Sequence, residues 1–338
     1  MLFVPFYTLL TGQMRFTESQ LEILGALEMR AVAPFSRIAA ACGCRESTVR
    51  TVFARLVDEK IIVTRRVYLN QYLIGLTSYA AYLALAVRDT AEFEKFRRYV
   101  TNHPRVTWFA ELGGNYQCAF SISAASIGEA ATLLARISGN FAELIVDREI
   151  SVRVQLSTYS RKIFAQRKKR NSPEFLQAGS RREQLDDIDK QVLRALSRPG
   201  FSSFRRLAEQ NGLATSTFDR RMKSLEQRGI IQGHYYVLDT AALALREYRL
   251  LLYTRRQRAD LQKRLQAFAR EQREVRKFIQ CLGSWDFELE IVVSSGREIS
   301  LLTGLLHRTF PQEIDQIRVV EIFTETSFAP FSEFDAPA

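Results

Sequence analysis

The chain has 338 residues, 46% hydrophobic and 25% charged, a globular balance that excludes a disordered polyelectrolyte and is too long for one ordinary domain. Lysine and arginine number 48 against 37 acidic residues, and the net charge of +11 suits a polyanionic partner, although a plain solvated surface can also be basic. Four cysteines, at 42, 44, 118 and 281, make no disulfide framework, so a reducing cytoplasm is the default, and no stretch reaches the roughly 20 apolar residues of a bilayer span.

In chain order, residues 1–16 read as an N-terminal extension: MLFVPFYTLL is apolar but short and lacks a basic leader, and Met14 stands just before the first capping signal. Thr17-Glu-Ser-Gln20 is a capping box that opens a helical unit over 17–72. Arg37-Ile-Ala-x-x-x-Gly43 is its second helix and turn. Cys42-Gly-Cys44 lies in that turn with no second cysteine pair or nearby histidine to complete a tetrahedral site, so it reads as packing and no metal is expected. Ser47, Thr48 and Arg50 follow in the N-terminal half of a third helix, and Ile61-Ile62 begin a ribbon. Residues 78–158 then read βαββαβ: strand 79–87, helix 90–101, strands 106–112 and 116–123, helix 127–138 and strand 144–154.

Residues 159–184 are read as a basic linker. Between Ser160 and Gln184 eight cations (Arg161, Lys162, Arg167, Lys168, Lys169, Arg170, Arg181, Arg182) face two glutamates, and Pro173 suggests exposed chain, helical at most up to Arg170. It either touches phosphates or is a solubilising connector.

The unit at 185–240 carries the densest signals. Asp186 is an N-cap with Asp189 three residues on and Leu185 as the hydrophobic staple, and Ile188, Val192, Leu193 and Leu196 recur at helical spacing up to Pro199-Gly200. A short helix, Ser203 to Gln210, ends at Asn211-Gly212, where a left-handed residue turns the chain. A third helix from about Ser216 to Arg228 buries Phe218, Met222 and Leu225 and leaves Thr215, Ser216, Thr217, Arg220, Arg221 and Lys223 on other faces. Small hydroxyls and guanidinium forks without bulk are what a helix in a DNA major groove needs. Gly229 closes it and Ile230-Ile231 begin a ribbon taken as the wing, so the unit reads as a winged helix-turn-helix. Residues 247–328 repeat βαββαβ: strand 248–254, helix 257–270, strands 275–282 and 285–294, helix 297–309 and strand 314–323.

Shifting the sequence on itself by 169 residues, half its length, aligns Arg37-Ile-Ala-x-x-x-Gly43 with Arg206-Leu-Ala-x-x-x-Gly212 and Ser47-Thr48 with Ser216-Thr217, without a gap. The expected fold is therefore α+β: two copies of a winged helix-turn-helix followed by a ferredoxin-like βαββαβ sandwich.

Asp186-x-Ile-Asp189, Leu-Ala-x-x-x-Gly-Leu and Arg-Arg-Met-x-x-Leu-Glu-x-x-Gly-Ile-Ile-x-Gly resemble the Lrp/AsnC family of prokaryotic transcription regulators. The resemblance implies a double-stranded DNA partner and a small-molecule effector, often an amino acid, near the domain interface. It directs attention to the turns Gly114-Asn-Tyr116-Gln117 and Gly283-Ser-Trp285-Asp286, which resemble the family's Gly-x-aromatic-Asp turn, although each is also simply a good hairpin. Gln117 stands where the aspartate is expected. Two copies in one chain imply an intramolecular pseudo-dimer, open to further assembly. The second head is expected to bind DNA more strongly, because Ser216–Gly229 carries four cations and two acids, Ser47–Lys60 carries three and two, and Glu46 stands where the second head has Thr215.

Two other readings compete. Siroheme decarboxylases resemble the same family, and a tetrapyrrole-carboxylate site would need histidines and arginines converging on a pocket; His103, His234 and His307 are the only histidines and none recurs at the 169 spacing. The other is an interaction module that no longer binds DNA. No Gly-rich phosphate loop or nucleophile elbow appears, so no cofactor and no catalytic residue is expected.

Overall fold

The computed structural model describes residues 16–87, 89–164, 174–179, 181–197, 203–255 and 260–327. The expectation of an extension over residues 1–16 therefore lies, up to residue 15, outside the described residues. Helix α1 (Glu18–Glu28) starts at the foreseen cap: Thr17 accepts from the Gln20 amide at 3.4 Å and the Gln20 side chain accepts from the Thr17 amide at 2.9 Å. Thr17→Ala is expected to cost about 1 kcal/mol, read by urea unfolding; an unchanged midpoint would show that the cap contributes nothing.

Helices α2 (Phe35–Cys42) and α3 (Glu46–Asp58) follow, packed on α1 through Leu21, Leu24, Ile38, Val49 and Leu56. Cys42 and Cys44 lie half-buried against this core. Strand β1 (Ile62–Leu69) leads through a 3-10 turn into β2 (Thr77–Leu85), α4 (Thr90–Thr101), β3 (Val106–Gly113), β4 (Cys118–Ala124), α5 (Ile127–Asn140) and the long β5 (Ile145–Tyr159).

The stretch expected to be an exposed linker departs from that reading. It holds a 3-10 turn at Lys162–Phe164 and a strand β6 (Glu174–Gln177) that pairs antiparallel with the end of β5. Arg161 is buried and Lys162 donates to the carbonyls of Ala269 and Arg270 at 2.9 Å, so neither faces a phosphate; Arg167–Arg170 and Pro173 lie outside the described residues. Composition marked the segment as polar, but the ladder partner that orders β6 is supplied by another element.

The second trio is α6 (Asp187–Ser197), α7 (Phe204–Gln210) and α8 (Thr215–Gln227), packed through Val192, Leu196, Leu207, Phe218 and Leu225. Asp186 caps α6 by accepting from the Asp189 amide at 2.8 Å, and Gly212 turns the chain at φ +67°, as Gly43 does at +66° after α2. Pro199-Gly200 lies outside the described residues. Strands and helices β7 (Ile231–Leu238), β8 (Arg246–Thr254), α9 (Leu261–Glu271), β9 (Val275–Gly283), β10 (Phe287–Val293), α10 (Gly296–Thr309) and β11 (Ile314–Ser327) complete the chain. The second middle strand of each half, β4 in one and β10 in the other, begins two residues later than expected, after Tyr116 and Trp285.

The wings also differ from expectation. Each trio contributes one strand, and β1 and β7 pair with each other antiparallel. In that ribbon Arg66 faces Tyr235, the residue 169 positions on. The helical cores are completed across the halves: Tyr236, Leu238 and Leu243 join the first trio's core, while Leu69, Ile74 and Leu76 join the second's.

Each βαββαβ half has strand order β5-β2-β4-β3 or β11-β8-β10-β9, as a ferredoxin-like sheet requires. The halves then join at two edges, β3 to β11 and β5 to β9, so that eight strands close on themselves. Glu111 faces Thr324 on one seam and Gln155 faces Gln280 on the other; 324 lies 169 after 155, and 280 lies 169 after 111. The helices cover the outside through two apolar layers, and closure leaves no open edge on the eight strands. No helix among the described residues is long and apolar enough to cross a membrane.

Candidate nucleic-acid interface

The exposed face of α8 carries Ser216, Arg220 and Lys223, which line one shallow open surface with Asp219, Ser224 and Gln227. Their spacing follows from Phe218, Met222 and Leu225 turning the opposite side into the core. Thr215 and Thr217 are half-buried in the first turn of the helix. Arg221, read from the sequence as a DNA contact, is instead tied to α6: its Nη1 lies 2.7 Å from Asp186 and 3.3 Å from Asp189, and Arg228 reaches the same buried Asp189 at 2.9 Å. The helical wheel could not foresee this, since the acids arrive from a helix more than thirty residues away.

On α3, Ser47, Thr48 and Arg50 are exposed. Arg50 Nε donates to Glu46 at 3.1 Å and its guanidinium lies 5.2 Å from the Phe35 ring, so it is held locally. At the positions 169 before Arg220 and Lys223 stand Thr51 and Ala54, so the first trio presents no cation where the second presents two.

The two glycine turns meet at one end of the closed sheet. Tyr116 donates to Glu149 at 2.6 Å, Arg318 donates to the same carboxylate at 2.8 Å, and Glu149 and Arg318 are themselves 169 apart. Tyr116 and Arg318 also hydrogen-bond to each other. Burial pulls the Glu149 carboxyl upward, but bonds from Tyr116, Arg318 and Ser284 prevail and hold it below the usual carboxylate range. Trp285 is fully buried edge-on against Tyr82, with ring centroids 4.8 Å apart, and Asp286 accepts from the Thr254 amide at 2.9 Å and its hydroxyl at 2.7 Å. Gly114 and Gly283 have φ of +97° and +154°, and a Cβ on Gly283 would lie 2.5 Å from the Ile150 carbonyl oxygen. The side chains named from the turns thus serve packing and the inter-half seam.

Sequence reasoning missed the interior. Facing strands bury a charge network in which Glu288 accepts from Arg153 at 3.1 Å, from Arg249 at 3.2 Å and from Trp285 Nε1 at 3.1 Å. Glu290 accepts from Arg249 at 2.6 Å and Lys277 at 2.7 Å, while Glu28 of α1 pairs with Arg161 and Arg276. Burial opposes ionisation of Glu28, Glu288 and Glu290, yet the adjacent guanidinium groups, with the Lys277 ammonium beside Glu290, outweigh it and keep all three carboxyls below their ordinary values. Glu247 differs: burial and then Glu325 push it up against the pull of Arg161.

A cavity of about 170 Å3 lies between this network and the β1–β7 ribbon. Arg66, Arg153, Arg161, Arg249, Arg276 and Lys277 line it, with Trp108, Leu156, Phe175, Ile279 and Tyr235 as the apolar part. No histidine borders it: His103 and His307 belong to other elements, and His234, on β7, is buried and held down to about 4 by burial and then Arg65. The alternation Phe287-Glu-Leu-Glu-Ile was a readable trace, but it would be read as a strand with one wet face.

Residues 185–232 match the family model described as "Winged helix-turn-helix DNA-binding". The Bkd operon transcriptional regulator of Pseudomonas aeruginosa is 32% identical over 111 residues, which cover 32% of this chain and 72% of that protein. The transcriptional regulator AldR of Mycolicibacterium smegmatis is 40% identical over 65 residues, 19% of this chain and 38% of that one. Among solved structures, the siroheme decarboxylase NirDL superposes along 93% of this chain and 95% of its own with a TM-score of 0.60 at 15% identity, which shows a shared fold.

Proposed function

This chain belongs to the Lrp/AsnC family of transcriptional regulators, and from that premise we propose that it is a single-chain pseudo-dimer reading DNA with two winged helix-turn-helix heads. The ribbon register, which faces Arg66 with Tyr235 169 positions on, and the two seam registers, which map onto each other under the same shift, support the duplication. The observation that carries the reading is the α8 face, where Ser216, Arg220 and Lys223 stand clear of the body. Thr215 and Thr217 flank it, and Ser47, Thr48 and Arg50 are the first head's weaker counterparts. A small-molecule effector at the ferredoxin-like halves completes the reading, with Gly114, Tyr116, Gly283, Trp285 and Asp286 as the turns that the family resemblance points to.

Selection of genomic fragments by the purified full chain tests this. Enrichment of a site with half-sites about one DNA turn, or a multiple, apart is expected. Fragments retained without sequence preference would overturn it, and failure to retain any fragment would favour an interaction module.

One observation favours a second reading: guanidinium groups converge on a cavity within a fold shared along its length with a siroheme decarboxylase. Against it, about 170 Å3 is well below the ~300–1,000 Å3 that larger ligands occupy, and a tetrapyrrole would need the ribbon to lift. Adding siroheme and recording its absorbance spectrum separates the two, since a stoichiometric band shift belongs to the enzyme alone.

A further inference from the structure

We propose that the cavity between the β1–β7 ribbon and the closed sheet binds one small organic monocarboxylate and reports its presence to both heads. The site is distinct from the glycine turns, and its regulatory part rests on the reading of the chain as a DNA-binding regulator.

Hydrogen-bond supply is the first argument. The Nε atoms of Arg66, Arg153, Arg161, Arg249 and Arg276 are buried and have no hydrogen-bond partner among the described residues, although all five residues line this one cavity. Four of these side chains, those of Arg153, Arg161, Arg249 and Arg276, are more than nine-tenths buried. Buried donors of this kind are normally satisfied, so a concentration of them around one void marks where an acceptor belongs.

Charge is the second. The six lining cations face five carboxylates among the described residues, Glu28, Glu247, Glu288, Glu290 and Glu325, and burial pushes the Glu247 carboxyl up, which leaves at least one positive charge in excess. Arg66 is the cation that makes no ion pair with a described residue. The uncompensated charge selects an anion, and Arg66, as the lining cation without an acid of its own, gives one carboxylate a partner. Size and lining give the rest: a cavity of about 150 Å3 is enough for benzene, and Trp108, Phe175 and Ile279 offer an apolar wall for a ring or short chain.

Position makes the cavity a junction. Arg66 and Tyr235 face each other at the centre of the ribbon, Met29 follows α1 of the first trio and Ser197 ends α6 of the second, and all four border the void. A ligand here touches the strand that carries each head as well as the sheet between them.

The experiment is calorimetric titration of the full chain with benzoate, hexanoate, succinate and inorganic phosphate at matched ionic strength, with thermal unfolding in parallel. One-to-one binding of benzoate or hexanoate, tighter than succinate or phosphate and raising the wild-type Tm, is expected. Arg66→Gln should weaken that binding at least about tenfold. Its unfolding curve reports folding, and Thr107→Ala, on the cavity wall, serves if Arg66→Gln unfolds. No binding by either monocarboxylate, equal response to phosphate, or an unchanged Kd in the variant would overturn the site. Ligand should also shift affinity for a selected DNA fragment by about fivefold or more. Binding that leaves DNA affinity unchanged overturns the coupling, whereas failure to find any preferred DNA sinks the regulator reading and leaves calorimetry to judge the site.

Discussion

Replacing Arg220 and Lys223 together by alanine is expected to weaken binding to a selected DNA fragment by about 2–4 kcal/mol, or roughly 30- to 700-fold. Both are exposed on the face of α8 opposite Phe218 and Leu225, free to reach bases or phosphates. The same change should flatten the dependence of log affinity on log salt by about one to two units, because each lost phosphate contact removes one counterion-release term. Arg50→Ala on α3 should cost less than about threefold, since Glu46 and the Phe35 ring already hold that guanidinium. Arg221→Ala acts differently: it frees the buried Asp189 from one partner and loosens α6 against α8, so it should lower stability with the salt slope kept. Fluorescence anisotropy at several salt concentrations measures the affinities and slopes of all three, and urea unfolding the stability of Arg221→Ala. Equal losses for the α8 double variant and for Arg50→Ala would end the claim that the second head dominates.

Glu288→Gln is expected to destabilise the protein by about 3–5 kcal/mol at neutral pH, because it leaves Arg153 and Arg249 buried with one carboxylate fewer. Glutamine preserves volume and an acceptor for Trp285 Nε1, so the loss reports charge rather than a cavity. The acid limb gives an independent reading. Glu288 has a folded-state pKa below its ordinary value, so its contribution is fully present above the unfolded carboxylate pKa of about 4.3 and is lost as pH falls through the lower folded value. Wild type should therefore lose stability below about pH 5 more steeply than the variant. Urea unfolding at pH 7 and pH 4 decides it; parallel losses in the two proteins would show that the network does not depend on this ionised carboxylate.

Much of the architecture is legible in particular residues. Thr17 and Asp186 announce the first helix of each trio, Gly43 and Gly212 the left-handed turns, and Phe218, Met222 and Leu225 the inward side of α8. These signals are local: a cap, a positive φ and a 3.6-residue period need only neighbours in the chain. The exposed positions Ser216, Arg220 and Lys223 follow from the same period. The role of Arg221 is not legible for the complementary reason, since its partners Asp186 and Asp189 come from another helix.

By itself, then, the sequence determined the element order, the polar face of α8 and the family, and its self-alignment at 169 residues raised the expectation of a repeat. Tertiary structure alone decided that β1 pairs with β7 instead of folding into its own wing, that two sheets close edge to edge, and that Glu288 and Glu290 are inside. The reason is physical. An alternating strand tells which residues share a face but not what covers that face, and a backbone ladder accepts any partner strand. Both choices are made by segments that stand far apart along the chain, and they meet only when the two halves fold onto each other.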